Sequence, residues 1–145
     1  MRTLAVDLGT RRVGLALSDE GGKLATPYDV VEVTSPQQAS DAVLGVIAKE
    51  GVQRVVVGLP LNMDDTVGPQ ARKAIEWGRA LEFQSGKPVL FVDERLSSFD
   101  AEQQLIERKR GGEHITRRGK KERLDAIASA TFLQAFLDGK LAPYE

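Results

Sequence analysis

Hydrophobic and polar positions alternate at the start of the chain. Residues 2–8 alternate larger apolar side chains with small or polar ones, and residues 12–19 repeat the pattern, which is typical of β-strands. The turn between them is short enough for the two strands to pair directly. A third strand is expected over residues 25–33, after the turn at Gly21 and Gly22. The chain is therefore predicted to open with an antiparallel three-strand meander.

The remainder of the chain alternates between helical and strand patterns. Four helices are predicted because apolar residues recur every three or four positions between a start signal and a glycine or loop. They run from Ser35 to Gly51, from about Pro69 to Ser85, from Ser97 to Gly111 and from near Lys121 to Gly139. Continuous apolar runs at residues 55–57 and 89–92 predict two strands buried on both faces.

The order of these elements predicts an α/β fold. A meander followed by strand–helix crossovers gives a mixed five-stranded sheet, in which three strands are antiparallel and two are parallel, with helices on both faces. A length of 145 residues suits a single domain, covering residues 1–145.

Composition narrows the classes of function. A net charge of -1 and 41% hydrophobic residues are typical of a globular protein and exclude a disordered chain or a uniformly basic nucleic-acid coat. The absence of cysteine excludes disulfides, thiolate zinc sites and cysteine nucleophiles. No apolar run is long enough to cross a bilayer, so a cytoplasmic location is expected.

One stretch of the chain, residues 108–123, departs from this balanced charge. Its basic residues are Arg108, Lys109, Arg110, Arg117, Arg118, Lys120, Lys121 and Arg123. We expect a mobile basic loop here that attracts a polyanion by its charge. The stretch is poor in aromatic residues, which favours contact with a nucleic-acid backbone over base stacking. His114, within it, is expected to be a passive loop residue.

Three acidic residues stand where a carboxylate would usually destabilise a fold. Asp7 ends the first strand, Glu94 ends the last strand, and Asp125 interrupts a nearly all-apolar helix. A carboxylate removed from water needs a cation, a proton or hydrogen bonds to compensate for its lost hydration. If the three converge, they would suit a divalent metal ion, because hard cations prefer oxygen ligands.

The surroundings expected for Asp7 are unusual. If the first two strands pair, the face that carries Asp7 otherwise holds small side chains, those of Thr3, Ala5, Gly14 and Ala16. Such a surface leaves room near the carboxylate, and another element must approach it there.

Each acid also has a structural interpretation. Asp7 lies shortly before Gly9 and Thr10 and could initiate a turn. Of Asp93 and Glu94, which strand alternation sends to opposite faces, either could form an exposed ion pair with Arg95. Asp125 could interact with the dipole of its helix. The other candidates, Asp19, Asp64 and Asp65, are expected to be turn formers.

Four segments, in this order, resemble the YqgF family of the ribonuclease H-like superfamily. They are Asp7-Leu8-Gly9-Thr10-Arg11-Arg12-Val13-Gly14, Gly58-Leu59-Pro60, Asp93-Glu94-Arg95-Leu96-Ser97 and Leu124-Asp125-Ala126-Ile127-Ala128. The resemblance extends over nearly the whole chain. Members are described as nucleases that mature the 5′ end of precursor 16S ribosomal RNA, and as Holliday-junction resolvases related to RuvC-type enzymes.

The resemblance implies a magnesium- or manganese-dependent endonuclease in which Asp7, Glu94 and Asp125 hold the metal. Two hard cations can activate a water, stabilise the phosphorane and neutralise the leaving oxygen. Arg11, Arg12 and Arg95 lie just past the strand ends, where a guanidinium could bind phosphate oxygens, although solvated surface arginines are equally expected.

The sequence leaves two substrates open. One is precursor ribosomal RNA, with ribosomal particles as a further partner, and the other is branched DNA. A junction resolvase needs two active sites in a two-fold dimer, whereas trimming one RNA end needs a single site. A strict monomer would therefore argue against the resolvase, whereas a homodimer would leave both substrates open. A non-catalytic RNA-binding assembly factor is a third hypothesis. The first strand and turn also resemble the phosphate-binding opening of actin-like ATPases, but those proteins need a second such domain.

Overall fold

The computed structural model describes residues 1–64, 66–94 and 117–144, and the backbone alone for residues 117–125. The strands are β1 (Thr3–Leu8), β2 (Arg12–Ser18), β3 (Ala25–Glu32), β4 (Arg54–Leu59) and β5 (Val89–Asp93). The helices are α1 (Pro36–Glu50), α2 (Pro69–Ser85) and α3 (Arg117–Leu137). The helix expected from Ser97 to Gly111 lies outside the described residues.

The five strands form one mixed sheet in the order β3-β2-β1-β4-β5. β1 pairs antiparallel with β2, and Asp7 lies opposite Gly14 in this register. β1 also pairs in parallel with β4, which pairs in parallel with β5. The predicted meander with two added parallel strands is therefore confirmed, and β4 is the one strand between β1 and β5.

The ends of α1 follow the signals in the sequence. The Ser35 hydroxyl accepts a hydrogen bond from the Gln38 backbone N–H at 3.2 Å, and the Gln38 side chain accepts one from Thr34 N–H at 2.7 Å. These side chains satisfy N–H groups that the first turn leaves open. Gly51 ends the helix in the left-handed conformation, with φ of 65°. Among the described helices, none has the length and apolar character of a membrane span.

Helices cover both faces of the sheet, as predicted. α1 and α2 pack on one face through residues that include Val43, Ile47, Trp77 and Leu81, whereas α3 packs on the other through Ala130, Phe132 and Leu133. The sheet side of the second cluster includes Ala5 and Ala16, two of the small residues noted in the sequence. The element expected to approach the small-residue face is therefore α3.

The last helix begins earlier than predicted. α3 starts at Arg117, four residues before Lys121, so the predicted loop over residues 108–123 is wrong for its second half. Arginine, lysine, glutamate and leucine have high helix propensity, and the single Gly119 costs only about 1 kcal/mol relative to alanine. Residues 108–116 lie outside the described residues.

Candidate active site

A cleft opens at the carboxyl ends of β1 and β4, beside the turn between β1 and β2. Its volume is about 430 Å³. The lining residues are Asp7, Leu8, Gly9, Thr10, Arg11, Arg12, Pro60, Gln70 and Glu94. Two of the three predicted acids therefore line one cleft together with two of the predicted arginines.

Asp7 reaches the cleft from the central strand of the sheet. It follows Ala5 by two residues, and strand side chains at i and i+2 share a face, so Asp7 lies on the face that α3 covers. The side chain is half-buried. The neighbouring strand contributes Gly14 opposite it, which leaves the space beside the carboxylate open.

Glu94 reaches the cleft from β5, two strands away. Its backbone N–H donates to the Leu59 carbonyl at 3.3 Å, which ties the residue to β4 just past the end of the ladder. Its Oε2 atom is buried. A Cβ atom built on Gly58 would collide with this oxygen, so the Glu94 side chain lies directly over Gly58. The Glu94 side chain thus extends over β4, the strand that separates it from the strand of Asp7.

Asp93 takes a different direction from Glu94. It is opposite Leu59 in the parallel ladder and follows Phe91 by two residues, which places it on the face of α1 and α2. The described lining of the cleft includes Glu94 and not Asp93. The alternation expected for the two acids is therefore observed.

The backbone of Asp125 lies in α3, one turn before Ser129. The Ser129 hydroxyl donates to the Gly14 carbonyl at 2.9 Å, a buried contact with the residue that faces Asp7. Further along α3, the Gln134 side chain accepts from Ala25 N–H at 2.9 Å, at the opposite end of the sheet. α3 therefore runs away from the cleft, and the backbone of Asp125 lies toward the cleft end, about 6 Å along the helix axis from Ser129.

The three-carboxylate metal site stays a prediction. Among the described side chains, no group of three acids, histidines or cysteines could hold a metal ion. The side chain of Asp125 falls outside that description, whereas Asp7 and Glu94 are both within it and share the cleft.

The predicted basic residues divide into two groups. Arg11 and Arg12 lie on the turn between β1 and β2 and line the cleft, with Arg11 exposed and Arg12 half-buried. The turn is tight because Gly9 N–H donates to the Arg12 carbonyl at 2.9 Å. The backbones of Arg117, Arg118, Lys120 and Lys121 lie in the first turns of α3. Arg95, Arg108, Lys109, Arg110 and His114 lie outside the described residues.

Gln70 is a lining residue that sequence reasoning missed. It lies in the first turn of α2, where no described side chain caps the helix start at Gly68. The glycine and proline before it do mark a helix start, but nothing in the local pattern indicates that this start adjoins the cleft. Only the packing of α2 beside β4 brings Gln70 there.

Comparison with known families identifies the chain. The model of the RuvX family, described as Holliday junction resolvase, matches residues 1–139. The chain belongs to the RuvX family. This is the family, also known as YqgF, that the four sequence segments resemble, so that expectation is confirmed.

Relatives in this family share much of the sequence. A protein of Anaeromyxobacter dehalogenans is 47% identical over 140 residues, covering 95% of this chain and 97% of its own. One of Acidiphilium cryptum is 39% identical over 137 residues, covering 94% of this chain and 84% of its own. Both carry the name "Putative pre-16S rRNA nuclease".

Solved structures share the fold at low sequence identity. Thermus thermophilus RuvC in complex with a Holliday junction substrate has a TM-score of 0.59 at 21% identity, over 99% of this chain and 100% of that chain. The yeast mitochondrial Holliday junction resolvase Ydc2 has a TM-score of 0.57 at 10% identity, over 95% and 78%. These likenesses confirm the ribonuclease H-like fold of this RuvX-family chain.

Proposed function

We propose that this chain is a divalent-metal-dependent endonuclease that hydrolyses phosphodiester bonds in the 5′-end maturation of precursor 16S ribosomal RNA. Membership of the RuvX family and the names of its relatives support a nuclease and this substrate. The observation that carries the proposal is that Asp7 and Glu94, from two different strands, line one cleft.

The residues of the cleft fit a hard cation. Both acids offer carboxylate oxygens, the ligand type that Mg²⁺ and Mn²⁺ take. The buried Glu94 oxygen lies over Gly58, where any other residue would fill the space. In this proposal Asp125 supplies a third carboxylate from the cleft end of α3. When bound, the metal activates water and stabilises charge on the phosphate.

The basic residues of the cleft and of α3 would hold the substrate. Arg11 and Arg12 line the same cleft as the two acids, so a guanidinium there can bind phosphate oxygens beside the bond to be cut. The basic first turns of α3 lie toward the cleft end of the sheet and would attract the nucleic-acid backbone. We extend this role to Arg95, Arg108, Lys109 and Arg110. Ribosomal particles that contain such a precursor would be a further partner.

Resolution of Holliday junctions is the second candidate function. It is favoured by the printed description of the family model that matches residues 1–139. A resolvase makes paired cuts and therefore requires two copies of the site related by a two-fold axis. A homodimer in solution is compatible with either substrate, whereas a strict monomer would favour the RNA.

The test compares cleavage of labelled precursor 16S RNA and of four-way DNA in the presence of Mn²⁺. We expect wild-type protein to cut the RNA and Asp7→Asn to cut at least about 100-fold more slowly, because even an outer-shell partner of a metal contributes about 10–100-fold. RNA binding should persist. Asp41→Asn, an exposed carboxylate on α1, is the matched control and should cut normally.

The other outcomes discriminate among the hypotheses. Preferential cutting of four-way DNA by a dimer would favour the resolvase. Unchanged cutting by Asp7→Asn would contradict the assignment of that residue. Failure of the wild type to cut either substrate, with RNA binding retained, would leave a non-catalytic assembly factor.

A further inference from the structure

We infer that Gly58 is a positioning residue of the active site, because its missing side chain holds open the space in which the Glu94 carboxylate lies. The inference rests on the proposed metal-dependent function. It assigns to the Gly58-Leu59-Pro60 segment a role that its resemblance to the family leaves unstated.

The sheet order creates the need for such a residue. Asp7 and Glu94 belong to strands on either side of β4, so their backbones are separated by two strand spacings, roughly 10 Å. Gly58 lies on β4 between them, two residues after Val56, on the face that α3 covers. The glutamate can reach toward Asp7 only by passing over this position.

The space above Gly58 is already filled by its neighbours. A Cβ atom there would collide with Glu94 Oε2 and would lie 3.0 Å from both Glu94 Cβ and Phe132 Cε2. Gly58 is not among the glycines with positive φ, so its backbone would accept other residues. Glycine within a strand weakens the strand but allows another group to approach closely. Space is therefore the reason for glycine at this position.

The neighbours differ in their freedom to move. Phe132 is fully buried in the cluster between α3 and the sheet. The Glu94 backbone is held by its hydrogen bond to Leu59. The Glu94 side chain, at the edge of the open cleft, is the part that can turn away. A methyl group at position 58 should therefore displace the Glu94 carboxylate and leave Asp7 in place.

The test measures binding of Mn²⁺ alone to the full chain by electron paramagnetic resonance, without nucleic acid. Gly58→Ala and Glu94→Ala should each raise the Mn²⁺ dissociation constant about 10-fold or more. If Gly58 acts through Glu94, the double variant should bind Mn²⁺ no more weakly than Glu94→Ala alone. Gly45→Ala, on α1 with no atom within 4 Å of the new Cβ, is the matched control and should bind normally.

A second variant separates positioning from packing. Phe132→Leu in the Gly58→Ala background removes the contact with the ring but not the collision with Glu94. We expect it to recover melting temperature and not Mn²⁺ affinity. Recovery of both would overturn the inference, as would independent, multiplicative losses of affinity in the Gly58→Ala/Glu94→Ala variant.

Failure of the proposed function gives a different result. If wild type and Asp7→Asn bind Mn²⁺ equally, the metal site itself is wrong, and the positioning role falls with it. If Asp7→Asn weakens binding and Gly58→Ala does not, the metal site stands and the inference about Gly58 is wrong. If all the Mn²⁺ results are as expected but no substrate is cut, the positioning role stands without the nuclease.

Discussion

The two faces of the sheet are built from alternate residues of the same strands, yet they differ in side-chain size. On the face of α1 and α2, β1 contributes Leu4 and Val6, which are fully buried in a large apolar cluster. On the face of α3, the same strand contributes Thr3, Ala5 and Asp7. Large side chains on the first face fill a core, whereas small ones on the second admit a helix closely and leave space at its end.

This difference indicates that the two faces serve different purposes. Among the described residues, the larger buried apolar cluster lies on the first face, and such burial stabilises the fold. The second face has the smaller described cluster and carries both described acids of the cleft, together with Gly58 beneath one of them. Substitutions within the buried cluster of the first face should therefore change stability alone, and those on the second face should change activity as well.

The largest effect on stability is expected at Leu81, which is fully buried in the cluster of α1 and α2. Leu81→Ala should lower the free energy of unfolding by about 2–5 kcal/mol, because it leaves a cavity. Urea denaturation measures this, and Mn²⁺ affinity of the folded protein should be unchanged. Weakened Mn²⁺ binding would show that the two faces are not independent.

A smaller loss of stability with a larger loss of activity is expected at Ala5. Ala5→Val adds volume between β1 and α3, which should cost about 1–3 kcal/mol of unfolding free energy and shift the helix that carries Asp125. Cleavage rate and urea denaturation test this together. Val6→Ile adds volume at the next position on the opposite face, and it should lower stability without slowing cleavage. Equal effects of Ala5→Val and Val6→Ile on cleavage would contradict the proposed difference between the two faces of the sheet.

Ser129 tests how closely α3 must pack against β2 for cleavage. Ser129→Ala removes the buried hydrogen bond to the Gly14 carbonyl and should cost about 0.5–1.5 kcal/mol of unfolding free energy, with slower cleavage. Thr131→Ala is the control, because its hydroxyl donates within α3, to the Ile127 carbonyl at 2.8 Å. If Thr131→Ala slowed cleavage as much, the contact with Gly14 would have no special role.

The smallest effect is expected at Asp19, in the turn at the end of the sheet away from the cleft. Backbone N–H groups of Leu24 and Lys23 donate to its carboxylate and lower its pKa below the ordinary value of 3.8. A lowered folded-state pKa stabilises the protein above the unfolded-state pKa, and this contribution is lost as pH falls through the folded-state pKa. Asp19→Asn should therefore be slightly less stable than wild type at neutral pH. In thermal melts, the difference in melting temperature between wild type and Asp19→Asn should narrow below about pH 4. A difference that does not change with pH would contradict the lowered pKa of Asp19 as its cause.

Local signals predicted the elements well because their causes are local. Ser35 and Gly51 bound α1 through contacts within a few residues, and strand alternation separated Asp93 from Glu94. The predicted start of α3, near Lys121, was wrong because a basic composition is equally compatible with a solvated loop and with an exposed helix.

The site was less accessible to sequence reasoning because it depends on strand order and helix placement. That Glu94 lies over Gly58 follows from β4 standing between β1 and β5. That Gln70 lines the cleft follows from where α2 begins. The position of Gly58 between the two acids needs only the strand order, whereas nothing in the sequence indicates that α2 begins beside the cleft.

The most direct test of the central claim is an anomalous diffraction map from crystals of the full chain soaked in Mn²⁺. We predict a peak in the cleft, about 2.1 Å from carboxylate oxygens of both Asp7 and Glu94. A peak that contacts neither residue, or no peak at a Mn²⁺ concentration that supports cleavage, would contradict the claim that these carboxylates hold the metal.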